Sequence, residues 1–462
     1  IVRRLGMLGV FPLPERERKI WIFDQRVNDR GIPVNVPFVH KAYALASREK
    51  AEKLKKQNEL TGLQNANSPV QMLAWVREQG YIANSLRKGA VSAELKYNDQ
   101  LTPIGREALE ARSAASSTTY KKLSAILRQV SLDGRLRNQF VYMGSSRCGR
   151  WSGNAVQLHN LARPEERFED PNNMNLLRSL IHKENYDGIK ESFPVVKDGV
   201  SHPGSVLLCI KSAIRTAFET GISMRFDICD LGAIETRVSA WVSGCQSLLD
   251  VFLSGRDPYL DFAVKMTGIP YEILARDIKS KDPAIRAAAK AIRQMAKPAV
   301  LGCCYRLGGG QMGIDYKTGD PVKQGLWGYA EGYNVEMSKE KAHELVRVYR
   351  ESYKEICQMW YALEKAVAEV LDPKTVDVRR ELGPNGCIKI SKINIEGRGP
   401  ILRIQLPSGR YLHYIGAELQ EVKMPWEDRD GQEVYRETLT YSGIDQTTKQ
   451  WKMGITSHGG KL

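Results

Sequence analysis

Residues 224–238 read MRFDICDLGAIETRV, and the predicted secondary structure changes within this stretch. The part up to Asp230 is typical of a β-strand, and GAIETRVSAWVSG after it has the period of an amphipathic helix. Residues 221–243 are therefore predicted to form a strand that leads directly into a helix. Since helical patterns precede this stretch and strand patterns follow later, the expected fold class is α+β.

Two aspartates lie on the predicted strand, three residues apart. The period of two places Asp227 and Asp230 on opposite faces, so the two cannot share a metal as simple strand neighbours. Asp230 is the better candidate ligand for a hard cation such as Mg²⁺, because it lies where the strand gives way to the helix. An aspartate can equally cap a helix that starts near Gly232. The residues alone leave both interpretations open.

The N-terminal part has helical patterns. A long basic helix is predicted from Val39 to about Gly62. Shorter helices are predicted up to Val130, among them SPVQMLAWVREQG, with a Ser-Pro start signal, and STTYKKLSAILRQV. From Gly134 short β-prone runs alternate with Gly, Ser and Asn turns and recurring arginines, which suits a basic sheet edge that faces phosphates.

The C-terminal half alternates between the two patterns. Residues 257–371 are predicted to be almost entirely helix or turn. Strands return in ILRIQLPSGRYLHYIG and YRETLTYSG, with a hairpin turn expected around Asp430 and Gly431. The pattern indicates a helical insert inside a sheet domain.

Composition limits the function classes. The 462 residues are 42% hydrophobic, enough for a sizeable core and about three domains. A net charge of +15 favours a polyanionic partner such as nucleic acid. No apolar run is long enough to span a bilayer, and the eight cysteines form no CxxC pair, so we expect reduced thiols, no structural metal and no membrane contact.

A second stretch, IRQMAKPAVLGCCYRLGGG, carries cations on a predicted helix. Arg293, Lys297, Leu301 and Tyr305 recur every four residues and share one helix face, which could hold a triphosphate and a base. A solvated Arg/Lys pair with Leu and Tyr in a core fits the spacing equally well.

Both stretches resemble motifs of phage-type family A DNA polymerases. Asp230, Glu235 and Arg237 match motif A, and IRQMAKPAVLGCCY matches motif B through Arg293, Lys297, Gly302 and Tyr305. GRWSGNAVQLHN, at residues 149–160, is similar to the duplex-facing segment of that family. LPSGR, which begins at Leu406, is similar to the strand that returns from the fingers to the palm. The order along the chain is also that of the family.

The resemblance implies a right-hand fold with a helical thumb, an antiparallel palm sheet and helical fingers. The expected domains are a leader at 1–30, a thumb at 31–135, a palm with motif A at 136–245, fingers with motif B at 246–375, and a return to the palm at 376–462. No proofreading domain is expected in front of the thumb.

The resemblance also implies the chemistry. Asp230, with the backbone carbonyl of Leu231, would bind two Mg²⁺ ions, and Glu235 would lie under the sugar and exclude a 2′-hydroxyl, so that dNTPs are the substrates. The catalytic residues would be Asp230 and Lys297, the second of which would protonate the pyrophosphate leaving group. Arg293 and Lys297 would hold the triphosphate.

Further residues would contact the base pair and the duplex. Leu301 and Tyr305 would complete the nucleotide site, with Tyr305 beside the templating base. The resemblance implies contacts with primer-template DNA by four residues: Arg150, His159, Asn160 and Arg237. Three departures from motif B are Pro298, expected to kink the helix, Leu301 in place of an aromatic residue, and Arg306 in place of Gly.

Two-metal catalysis needs a second carboxylate, which in the family comes from a His-Asp-Glu hairpin expected beyond residue 462. TSHGGKL, with His458, resembles the lead-in to that hairpin, so a C-terminal fragment is an expected partner. The expected function is template-directed DNA synthesis in phage replication, in the cytoplasm of the infected host cell. The alternatives are a non-catalytic DNA- and dNTP-binding fragment and a single-subunit RNA polymerase, against which Glu235 argues.

Overall fold

The computed structural model describes residues 15–115, 118–145, 149–197, 200–221, 223–315, 318–375, 378–395, 399–427, 432–445, 448 and 450–457. The chain forms two compact units, residues 1–228 and residues 229–462. Part of the predicted leader, the turn at Asp430 and Gly431, and His458 lie outside the described residues. Within the described residues, no helix has both the length and the apolar surface needed to cross a bilayer.

The first unit is mainly helical. Its helices are α1 Glu15–Arg30, α2 Val36–Thr61, α3 Pro69–Glu78, α4 Lys88–Tyr97, α5 Pro103–Ala115, α6 Thr118–Gln129, α7 Pro171–His182, α8 Tyr186–Ser192 and α9 Val206–Ala213, with short 3₁₀ turns at Leu158–Asn160, Glu166–Phe168 and Ile214–Ala217. Its strands form antiparallel pairs: β1 Ile32–Pro33 with β2 Arg135–Leu136, β3 Phe140–Val141 with β4 Ser152–Gly153, and β5 Val195–Lys197 with β6 Val200–His202.

Helix α2 organises this unit. It begins where the Asn35 side chain accepts a hydrogen bond of 2.9 Å from the Phe38 N–H, and it ends at Gly62, whose φ of 64° suits glycine. Its buried face contributes to one core with α6, α7 and α9, while α3, α4 and α5 enclose a smaller core of their own. The long helix predicted from Val39 is confirmed, as are the shorter helices α3 and α6.

The second unit combines helices with one large sheet. Its helices are α10 Ile234–Ser243, α11 Gln246–Leu253, α12 Pro258–Thr267, α13 Tyr271–Asp277, α14 Pro283–Cys303, α15 Gly325–Glu331, α16 Lys339–Ser352 and α17 Lys354–Leu371, with a 3₁₀ turn at Pro384–Gly386. Its strands are β7 Met312–Ile314, β8 Pro321–Lys323, β9 Arg380–Leu382, β10 Ile388–Ile395, β11 Gly399–Gln405, β12 Tyr411–Glu427, β13 Glu433–Ile444 and β14 Trp451–Ser457.

The large sheet is antiparallel, in the order β14-β13-β12-β11-β10-β9, and β7 and β8 form a separate hairpin among the helices. Helix α17 lies between the other helices of this unit and the large sheet. Its Trp360 belongs to the helical core, whereas Leu363, Val367 and Val370 belong to the core against the sheet. The predicted α+β class and the C-terminal strands are confirmed. The thumb, palm and fingers boundaries stay predictions.

The strand predicted up to Asp230 is wrong for the described residues. Residues 224–230 are not assigned to a strand, and Met224, Phe226 and Ile228 are 63%, 49% and 90% exposed. A β-strand is stabilised by hydrogen bonds to the backbone of a neighbouring strand, and β-prone side chains alone do not supply those bonds. The helix that follows begins at Ile234 with Ala233 as its N-cap, so the interpretation of Asp230 as the cap is also wrong.

The core of the first unit can be tested at Leu123, which is fully buried on α6. Leu123→Ala is expected to lower the free energy of unfolding by about 2–5 kcal/mol, because it removes buried methyl groups and leaves a cavity. Urea unfolding measures the loss. Leu132→Ala is the matched control, since Leu132 is fully exposed, and an equal loss in both variants would contradict the described core.

Candidate active site

The candidate site is built on α14, whose start is well defined. The Asp282 carboxylate accepts hydrogen bonds from the N–H groups of Ala284 (2.8 Å) and Ile285 (3.4 Å), and Pro283 occupies the first turn. The helix is continuous through the buried Pro298 to Cys303. The predicted cationic helix is therefore confirmed, and it carries Arg293, Lys297 and Leu301.

Arg293 is held by a carboxylate that the sequence analysis did not select. The Nε and Nη2 of Arg293 lie 2.9 and 2.8 Å from Oδ2 of Asp257, while Oδ1 of Asp257 accepts hydrogen bonds from the N–H groups of Tyr259 and Leu260 and so caps α12. The guanidinium also lies 5.0 Å from the centre of the Tyr259 ring. The Asp-Pro pair at the start of α12 was the available sequence signal for Asp257.

Lys297 faces a pair of tyrosines that the sequence analysis also missed. Its ammonium lies 5.5 Å from the centre of the Tyr333 ring. The hydroxyls of Tyr333 and Tyr329 lie 3.0 Å apart, and their rings are in contact. Nothing in the spacing of these tyrosines pointed to α14, because the contact depends on how α15 folds back onto it.

Glu235, in the first turn of α10, lies close to the same groups. Burial raises the pKa of Tyr329, the hydrogen bond with Tyr333 raises it further, and the negative charge of Glu235 adds to the effect. Burial also raises the pKa of Tyr259, where Arg293 opposes the shift and Glu235 contributes to it. Glu235 therefore acts on Tyr329 and on Tyr259, and the Tyr259 ring also contacts Arg293.

The end of α14 is packed closely against α15. A Cβ atom added to Gly302 would lie 3.2 Å from the Tyr329 ring and 2.6 Å from Leu307, so this position favours glycine. Tyr305 is 48% exposed and Leu301 is half-buried. Leu301 lies in the last turn of the helix as predicted, whereas Tyr305 lies in the turn after Cys303, so the prediction that it shares the helix face is wrong. The contacts of both residues with a nucleotide stay predictions.

Arg306 has a structural role in this region. It has a φ of 64°, forms an ion pair with Glu364 and places its guanidinium 4.9 Å from the Tyr361 ring. The arginine that replaces glycine in the motif therefore anchors the chain after α14 to α17.

Asp230 and Leu231 lie on an exposed segment before α10. Arg237 closes the turn that follows them, because its Nε donates a 2.9 Å hydrogen bond to the Gly232 carbonyl and its guanidinium lies 4.2 Å from the Phe252 ring. A carboxylate and a carbonyl are oxygen ligands of the type that Mg²⁺ prefers, but together they supply only part of a two-metal site. Among the described residues, no three His, Cys, Asp or Glu side chains are grouped closely enough to hold a metal.

The predicted duplex-facing residues lie in the first unit. Arg150, His159 and Asn160 are exposed. The His159 ring lies directly against Gly153, where an added Cβ would come within 2.2 Å of it, and its Nε2 is 3.2 Å from the Asn160 amide. Lys122 donates a 2.8 Å hydrogen bond to the Val156 carbonyl and so holds this segment to α6. Contact with DNA stays a prediction for these residues and for Arg237.

Comparison with known proteins shows where the chain has relatives. No family model matches it. The DNA polymerase of Bacillus phage SP02 is 29% identical over 449 residues, which are 97% of this chain and 59% of that protein. The chain is similar to a phage DNA polymerase. This similarity confirms the resemblance to a phage DNA polymerase. The chain spans about three-fifths of the length of that relative.

The solved structures that match include the POL domain of Pol1 from M. smegmatis in complex with DNA primer-template and dNTP. The two are 16% identical, with a TM-score of 0.46, and the match covers 74% of this chain and 47% of that chain.

Cysteine reactivity tests the packing beneath α14. Burial raises the pKa of Cys303 and of Cys304 to about 12, whereas Cys229 is exposed. At pH 8 the two buried residues should remain thiols, so iodoacetamide should modify Cys229 and leave them intact in the folded chain. Peptide mass spectrometry measures this, with the guanidinium-unfolded chain as control. Equal labelling of all three in the folded chain would contradict the packing.

Proposed function

We propose that this chain is the nucleotide-binding part of a DNA-directed DNA polymerase that adds dNTPs to a primer 3′-hydroxyl in phage DNA replication. The observation that carries the proposal is the convergence of Arg293 and Lys297, on one face of α14, with Glu235 on α10. The 29% identity to a phage DNA polymerase supports it. The site of action would be the cytoplasm of the infected host cell.

The cations would bind and orient the triphosphate. Asp257 fixes the plane of the Arg293 guanidinium, whose remaining N–H groups can donate to phosphate oxygens. Lys297 would neutralise charge at the leaving group and transfer a proton from its Nζ to a pyrophosphate oxygen. Both effects depend on positions set before the substrate arrives, which is how phosphoryl transfer is usually accelerated.

Asp230 and the Leu231 carbonyl would hold Mg²⁺. The two metal ions, when bound, would lower the pKa of the primer hydroxyl and neutralise the developing charge. The turn that Arg237 closes at Gly232 lies between Asp230 and the start of α10. We propose that a further polypeptide segment supplies the second carboxylate.

Arg150, His159, Asn160 and Arg237 would contact primer-template DNA. The net charge of +15 supports a polyanionic partner. An arginine in the minor groove can contact the acceptors common to all base pairs, so Arg150 would test the geometry of a pair without reading its sequence.

Primer extension on a DNA template with Mg²⁺ and dNTPs tests the proposal, with the chain alone and together with a fragment that carries a His-Asp-Glu hairpin. Asp230→Asn, Arg293→Ala and Lys297→Ala are each expected to lower the extension rate by about 10²-fold or more, because each removes a charge that acts on the reacting phosphates. Asp250→Asn, which alters an exposed carboxylate on α11, is the matched control.

Each outcome of this experiment separates the candidates. Extension that requires the fragment and is lost in Asp230→Asn supports the proposed polymerase. Binding of DNA and dNTP without extension in either mixture would favour the non-catalytic fragment. Extension by the chain alone would show that another carboxylate, with Asp227 as the first to test, completes the site.

Sugar selection is tested at Glu235. If this side chain excludes the 2′-hydroxyl, Glu235→Ala is expected to raise incorporation of rNTPs relative to dNTPs by about tenfold or more, because space opens beside the sugar. Single-nucleotide insertion assays measure the ratio of kcat/KM for the two substrates. A parent chain that already prefers rNTPs would instead identify an RNA polymerase.

A further inference from the structure

A cleft of about 920 Å³ lies beside the candidate nucleotide site, within the second unit. Its walls come from the turn before α12, from α13 with the residues after it, and from α14. Helix α14 faces the cleft with Ala287, Lys290, Ala291 and Gln294, whose spacing of three and four residues places them on one face. Arg293 belongs both to this face and to the adjoining one with Lys297.

The lining is strongly cationic. It contains four cationic side chains and one carboxylate: Arg256, Lys279, Lys290, Arg293 and Asp257. The carboxylate pairs with Arg293, and the cationic side chains of the lining outnumber its carboxylates. A concave surface lined by charges of one sign concentrates the field and attracts ions of the opposite sign.

Arg256 is positioned before any ligand arrives. Its guanidinium lies 3.9 Å from the centre of the Tyr271 ring and 3.6 Å from the Asp261 carboxylate. Tyr271 is itself fixed, because its hydroxyl accepts a hydrogen bond of 2.9 Å from the Asp257 N–H. Arg256 therefore lines the cleft with a guanidinium whose position is set by Tyr271 and Asp261.

Part of the cleft lining is apolar. Ala287 and Ala291 on α14 contribute small side chains to the lining, and Ile278 and Leu260 contribute apolar ones. The volume falls in the range of small-molecule sites. The cations of this cleft lie around a pocket and do not follow a line. Such an arrangement suits a compact ligand that has several charges on few atoms. An extended nucleic-acid strand would need a line of cations.

We propose that this cleft binds pyrophosphate and other short polyphosphates, with Lys279 and Lys290 as direct ligands and Arg256 as a preoriented third cation. Because Arg293 borders both sites, the cleft can receive pyrophosphate as it leaves the triphosphate-binding face of α14. This role rests on the proposed function, whereas the binding itself does not.

Calorimetric titration of the chain with pyrophosphate, in the presence of Mg²⁺, tests the proposal. The double variant Lys279→Ala/Lys290→Ala is expected to raise the Kd about tenfold, since two charge-assisted contacts are lost. Ala291→Glu, a second variant on the cleft face of α14, should weaken binding at least as much by adding a negative charge, while glutamate maintains the helix. Thermal unfolding confirms that each variant is folded.

The matched control is Lys339→Ala/Lys365→Ala, which removes two exposed lysines from outside the cleft lining and should change the Kd by less than about twofold. An unchanged Kd in both the double variant and Ala291→Glu would overturn the proposal. The proposal would also be overturned if the double variant lost binding to a single-stranded oligonucleotide but kept its binding of pyrophosphate. The occupant of the cleft would then be a nucleic-acid backbone.

Kinetics separates this proposal from the proposed function. If the chain extends primers, the double variant should raise the KM for pyrophosphate in the reverse reaction about tenfold and leave the KM for dNTP within about twofold. If no extension occurs under any condition, the proposed function fails while the calorimetric result still decides the cleft. Equal effects on both KM values would place the lysines in the dNTP site and overturn a separate cleft.

Discussion

Helix α17 is buried on two sides, and the second unit depends on this constraint. Trp360 lies in the helical core, and its indole N–H donates a 3.1 Å hydrogen bond to the Cys304 carbonyl directly after α14. One to three turns further along, Leu363, Val367 and Val370 contact the large sheet. A helix that must satisfy two cores has little freedom to rotate or slide, because either movement opens a cavity. The end of α14 is therefore fixed relative to the sheet.

The arrangement around α14 depends on one carboxylate with two separate functions. Oδ1 of Asp257 caps α12 and Oδ2 holds Arg293. Both groups are about one-third exposed, so this ion pair contributes modestly to stability. Its larger effect is on geometry, because the cap fixes the carboxylate and the carboxylate then fixes the plane of the guanidinium. The same residue borders the basic cleft, so Asp257 supports both of the proposed anion-binding surfaces.

The two motifs on which the resemblance depends differ in how they are built. The cationic helix is packed on several sides, with Gly302 against Tyr329 and Lys297 over Tyr333. The segment with Asp230 is exposed, and its apolar side chains Met224, Phe226 and Ile228 face solvent. The packing of the described residues thus fixes the helix on which the proposed phosphate site lies, whereas the proposed metal site would need ligands in addition to Asp230.

Local sequence signals determined the helices and their ends. Asn35, Ser68, Asp257 and Asp282 cap helices through side-chain hydrogen bonds to residues two or three positions ahead, and such short-range chemistry can be predicted from the sequence. The spacing in α14 likewise determined that Arg293 and Lys297 share a face. The contact of Asp257 with Arg293, the tyrosines beside Lys297 and the unpaired segment before Asp230 were decided only by tertiary structure. Each depends on groups far apart in the chain, or on a neighbouring strand, and local propensity contains no information about either.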